Sequence, residues 1–166
     1  MPAVSHGTSE SRGEDRWRIR FELHLPYAYE ALWPALTTPE GLRGWLAEAQ
    51  VLERRLGGAV TLRWPNTGTV ATGRVTAWDV ERVVEYTLTV HERIRFHLEP
   101  VGTDSTVIRF VNERGGPDGE RLDCLAGWHE HFELLESALE GRPANWAAWT
   151  DTHWVALRED YASLSG

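Results

Sequence analysis

Between residues 49 and 113 the apolar side chains recur at every second position, and turn residues cut the stretch at Gly57-Gly58, Asn66-Thr67-Gly68, Asp79 to Arg82 and Gly102-Thr103-Asp104. A period of two places alternate residues on opposite faces of an extended chain. The segments AQVLERR, AVTLRW, TVATGRVTAW, VVEYTLTV, RIRFHLEP and TVIRFVNE therefore read as six strands of an antiparallel meander, each with one apolar face. A one-sided sheet needs something to cover it, and the next segment supplies the cover. After the break GGPDGE, residues Leu122, Leu125, Trp128, Phe132, Leu135 and Leu139 fall at spacings of three and four, which predicts a long amphipathic helix over 118–140. Asp118 is the expected cap, and Gly141 followed by Pro143 ends it.

The flanks extend this plan. Residues 17–25, WRIRFELHL, alternate strictly and read as a further half-buried strand. Two short helices come next, the first kinked by Pro34 and the second opened by Thr38 as cap and Pro39 at its first position. Residues 142–166 carry Trp154, Leu157, Tyr161 and Leu164 at helical spacing, a stripe that must be covered by its own domain or across a two-fold dimer interface. The expectation is an α+β helix-grip fold: a curved antiparallel sheet of six to seven strands around a long C-terminal helix, two short helices after the first strand, and a short extra C-terminal helix. Residues 1–16 are polar, lack apolar periodicity and read as a disordered leader; the domain proper spans 17–141 and the helical extension 142–166.

Composition removes several function classes. A formal charge of −8 over 166 residues argues against a nucleic-acid partner, since phosphate neutralisation needs positive charge. All 17 basic residues are Arg, so neither a Schiff-base lysine nor a phosphate-loop lysine is available. The single Cys124 forms no internal disulfide, and no apolar run marks a signal peptide or membrane span, which points to the cytoplasm. No GxGxxG or nucleophile-elbow pattern occurs. On the long helix His129 and His131 lie roughly 200° apart and cannot share one metal. No metal and no cofactor is expected.

The strings EALWPALTTPEGLRGWL, LGGAVTLRW, GRVTAWDVERVVEYTL, IRFHLEPVGTDSTVIRF and LAGWHEHFELLESALEG resemble the bacterial single-domain proteins related to the C-terminal domain of the Hsp90 ATPase activator, within the START/Bet v 1 helix-grip (SRPBCC) superfamily. In that resemblance Gly127-Trp128 matches a Gly-Trp pair of the long helix, with the Trp a packing residue. The superfamily implies three functions for such a scaffold: binding of a small ligand, cyclase or dehydratase action on polyketide-like substrates, or regulation of the Hsp90 ATPase.

The residues favour the first. Nine Trp are spread over nearly every element. The inward face of the sheet mixes the large Trp64, Tyr86, Phe96 and Phe110 with smaller residues such as Gly73, Val75, Ala77 and Val84, an arrangement that leaves concave space. Gly127 costs about 1 kcal/mol relative to Ala in mid-helix and so calls for a reason, such as room for a ligand. The expected partner is a small apolar or amphipathic molecule held between helix and sheet by Trp64, Val75, Tyr86, Leu88, Phe96, Phe110, Leu125, His129 and Phe132.

Overall fold

The computed structural model describes residues 4–165. Eight strands form one antiparallel sheet: β1 (Thr8–Ser11), β2 (Arg16–Leu25), β3 (Glu48–Leu52), β4 (Ala59–Arg63), β5 (Val70–Asp79), β6 (Val83–Leu88), β7 (Glu92–Pro100) and β8 (Thr106–Gly115). Their order is β1-β2-β8-β7-β6-β5-β4-β3, a meander from β3 to β8 with β2 returned beside the last strand. The helices α1 (Tyr29–Thr37) and α2 (Pro39–Arg43) bridge from β2 to the far edge. Thr38 caps α2 as expected, its hydroxyl accepting from the Gly41 amide at 3.0 Å. The long helix α3 (Asp118–Leu139) lies on the inward face and leads to a 3-10 turn (Trp146–Ala148) and α4 (Thr152–Ser165). Among the described residues, no helix is long and apolar enough to cross a membrane.

Cross-strand register explains the core. Phe21 pairs with Phe110, Phe110 with Phe96, Phe96 with Val84 and Val84 with Trp78, so one inward row crosses five strands. Phe132 of α3 sits edge-on to Phe21 and Phe110, 5.0 Å from each. Trp45 and Trp128 stack on it at 5.9 and 5.8 Å. The outer face carries charge instead: buried Glu85 accepts from Arg95 at 3.2 Å and from the Thr76 hydroxyl at 2.7 Å.

Four expectations need correction. The leader is not structureless over its described part: β1 pairs with β2, Val4 is buried, and the Gly7 amide donates to the Tyr161 hydroxyl at 2.9 Å, while residues 1–3 lie outside the described residues. Polar TSES has no alternation to betray it, because backbone pairing recruits it, joined by polar contacts of Ser9 with Arg121 and of Glu10 with Arg18 and Arg20. A bulge between Val75 and Ala77 shifts the register of β5 against β6, so Ala77 pairs with outward Glu85 while Trp78 turns inward to meet Trp33 of α1 at 5.2 Å. Asp118 is the first residue of α3 and pairs with Arg121 at 3.0 Å; the cap position belongs to Pro117. The tail stripe is covered within the chain: Leu157 and Tyr161 are buried and Trp154 donates to the Asp123 carbonyl at 3.2 Å, but Leu164 is 65% exposed.

Deleting residues 1–11 should therefore destabilise the fold by about 2 kcal/mol, or roughly 4–8 °C in Tm. An unchanged melt would show that β1 and Val4 add nothing.

Candidate functional site

The space expected between α3 and the middle of the sheet is filled. Tyr86, Phe96, Phe110 and Phe132 are each at most 1% exposed, and Val75 and Leu88 are buried beside them. The Tyr86 hydroxyl donates to the Leu36 carbonyl at 2.7 Å, and burial raises its pKa well above the usual tyrosine value. Leu125 faces a different, polar groove shared with Ser9, Trp17 and Arg121. His129 points away from the sheet centre toward the N-terminal segment and α4: its Nδ1 lies 2.7 Å from the Tyr161 hydroxyl, and its ring is 5.4 Å from that of His6. Of the nine residues expected to form a cavity, Trp64 alone lines the apolar cleft that the structure does contain.

That cleft, about 450 Å³, lies at one end of the sheet. Its floor is α3, through Cys124, Gly127, Trp128 and His131, which recur at helical spacing on one face. One wall is the β4–β5 loop, with Trp64, Asn66, Thr67 and Thr69, together with His91 in the β6–β7 turn. The opposite wall is the segment leading into α4, with Trp149 and Asp151, together with Trp154 in the first turn of α4, and Asp123 completes the rim. Four indoles thus surround an apolar space. Gly127 keeps it open: a Cβ there would meet only Trp154 Nε1, at 3.8 Å.

Buried polar groups hold these walls in place. Asn112 of β8, fully buried, donates through Nδ2 to the carbonyls of His91 and Arg93, both at 2.9 Å, and its Oδ1 accepts from Trp128 Nε1 at 3.2 Å. One amide therefore ties the floor to the β6–β7 turn. Trp149 Nε1 donates to Glu130 at 3.2 Å, and Trp146 Nε1 to the Arg43 carbonyl at 2.8 Å, which fastens the opposite wall. Asn112 stands two residues beyond Phe110 on the inward register, and a polar side chain at such a position is the sequence signal that marks this network.

Two histidines reach the cleft. His131 donates from Nδ1 to the Trp45 carbonyl at 2.8 Å, and its ring is buried. His91 lies over Trp64, ring centroids 4.2 Å apart. Burial lowers the pKa of each to about 4, helped at His91 by the charge of Arg114, so both are neutral at pH 7. Cys124 is a poor nucleophile here: burial pushes its thiol up to about 11. Among the described residues, no group of three His, Cys, Asp or Glu side chains is arranged to hold a metal ion.

The comparisons with known proteins agree with this architecture. The family model for Activator of Hsp90 ATPase homolog 1-like protein matches residues 26–140. The chain belongs to that family. No curated protein sequence matches it. Among solved structures this family member is similar to the conserved protein EF2215 from Enterococcus faecalis, with a TM-score of 0.74 and 17% identity, over 95% of this chain and 89% of that one. It is equally similar to CalU16 from Micromonospora echinospora, with a TM-score of 0.74 and 17% identity over 98% of each chain. The Aha1 dimer from Colwellia psychrerythraea shares 22% identity at a TM-score of 0.61, over 74% of this chain and 96% of that chain. At these identities the likeness concerns the fold.

The two cleft histidines also make stability depend on pH. Their folded pKa values lie below the ~6.5 of an unfolded histidine, so the unfolded chain takes up protons first as pH falls. Their contribution is complete above about pH 6.5 and is lost toward pH 4, by about 2 kcal/mol per histidine at pH 5. Tm should drop between pH 7 and 5, and drop less in His131→Gln, which has no imidazole to protonate. Equal drops in both proteins would contradict a buried neutral His131.

Proposed function

We propose that this protein binds a small apolar or amphipathic molecule in the cleft between α3, the β4–β5 loop and the segment entering α4. The observation that carries this reading is an apolar space of about 450 Å³ walled by Trp64, Trp128, Trp149 and Trp154, with a mid-helix glycine at its floor. Trp149 and Trp154 are half-buried over a floor and wall closed by the buried Trp128 and Trp64, and such a concave apolar site is where small molecules bind. The site stands at the end of the sheet, displaced from the filled centre.

One observation favours a catalytic reading, in which His91 and His131 serve a cyclase or dehydratase as acid and base. Both line the same cleft. With pKa values near 4, however, they are weak bases at neutral pH, where an effective acid–base group lies nearer the working pH. Binding without reaction accounts for the site with fewer demands.

The neutral fluorophore N-phenyl-1-naphthylamine tests the proposal. At 100 times its Kd it should stabilise the fold by about 2.7 kcal/mol and accept energy from the surrounding indoles. Gly127→Ala should itself stabilise the protein by about 0.5–1 kcal/mol, since the helix gains and the new methyl fits. Gly127→Leu, whose side chain grows into the cleft, should fold and bind the probe at least tenfold more weakly. Undiminished binding by a folded Gly127→Leu protein would place the site elsewhere.

A further inference from the structure

Buried polar groups in folded chains almost always have partners, and each one left without costs about 1–3 kcal/mol. His91 departs from this rule twice, because no described residue bonds either Nδ1 or Nε2, and both atoms are buried. Asn66 Oδ1, on the same cleft wall, is a third buried atom without a partner. These groups lie among residues that otherwise satisfy the polar atoms of the cleft: His131, Trp128, Trp149 and Trp154 all reach acceptors at 2.8–3.2 Å.

The position of His91 is also imposed. Its neighbours Val90 and Glu92 have φ of 68° and 55°, a region that a β-branched valine occupies at a cost. Asn112 clamps the His91 carbonyl from below. Such strain persists only where surrounding contacts dictate the backbone, and here they set the imidazole over Trp64.

A neutral imidazole offers one N–H donor and one lone-pair acceptor, and the amide oxygen of Asn66 offers a second acceptor. A hydroxyl group supplies the complement: its oxygen accepts from the imidazole N–H, and its proton goes to the Asn66 amide oxygen. A ligand carboxylate does not, for it brings no proton to these acceptors; the acidic Asp123 and Asp151 line the rim, and the cationic Arg114 lies behind the floor, 3.5 Å from Cys124. The indole walls suit a flat ring system.

Resting on the binding reading above, we propose that the cleft selects a neutral, flat aromatic molecule carrying a hydroxyl group, with His91 and Asn66 as the residues that determine this specificity. A matched probe set of naphthalene, 2-naphthol and 2-naphthoate, titrated against the full chain by tryptophan fluorescence, tests it. The wild type should bind 2-naphthol at least tenfold tighter than naphthalene, and 2-naphthoate more weakly than either. His91→Phe, which keeps a ring over Trp64, should bind naphthalene within twofold of wild type and lose the preference for 2-naphthol.

Equal affinity for naphthalene and 2-naphthol in the wild type overturns the specificity while leaving the cleft as a binding site. Failure of all three, and of N-phenyl-1-naphthylamine, removes the binding reading and this inference with it. Should His91→Phe not fold, the nitrogen-15 resonances of the wild-type His91 imidazole decide: they should move with 2-naphthol well beyond the shift naphthalene produces, and equal shifts overturn the proposal.

Discussion

Phe132 decides how this fold can be used. It stands where α3 crosses the sheet, wedged among Phe21, Phe110, Trp45 and Trp128 with no exposed surface. Rings meeting edge-to-face and stacked at 5–6 Å bury large areas and leave no gap, so the sheet is gripped tightly at its centre. Truncating Phe132 would remove the central one of the contacts, beside Trp128 on Phe110, through which the row from Phe21 to Trp78 meets the helix. With the centre closed, the apolar open space lies where α3 runs past the end of the sheet and different segments supply the walls.

The two faces of α3 then take separate tasks. Residues Leu125, His129 and Phe132 meet the core, the N-terminal segment and α4, a region built for stability: Tyr161 bridges His129 and the Gly7 amide. Cys124, Gly127, Trp128 and His131 face the cleft. The same helix thus closes one side with packed rings and opens the other by omitting a single side chain at Gly127. Asn112 joins the tasks, because its amide is buried in the core yet holds both Trp128 and the turn that carries His91.

Most of the architecture was legible because alternation and helical spacing are dictated by burial on one face. The strands from β2 to β8, the long helix and the Thr38 cap arise from that logic. β1 was not legible: its four residues contribute backbone pairing and no apolar pattern, and pairing partners are a tertiary property. The bulge after Val75 escaped for a related reason, since an inserted residue inverts the facing of the residues after it without changing composition. In the site, Trp64 and Gly127 were read from ring size and helix cost. His91 lies in a polar turn without periodicity, and helical phase alone does not say which neighbour each face of α3 meets, so it does not show that His131 rather than His129 enters the cleft.

The central claim is that the ligand site lies in the indole-walled cleft at the end of the sheet rather than in its gripped centre. The most direct measurement is a crystal structure of the protein soaked with 2-bromonaphthalene, whose bromine marks its position by anomalous scattering. The account predicts a bromine peak between Trp64 and Trp154, above Gly127. A peak in the polar groove beside Trp17 and Leu125, or none in the cleft at saturating probe, would contradict it.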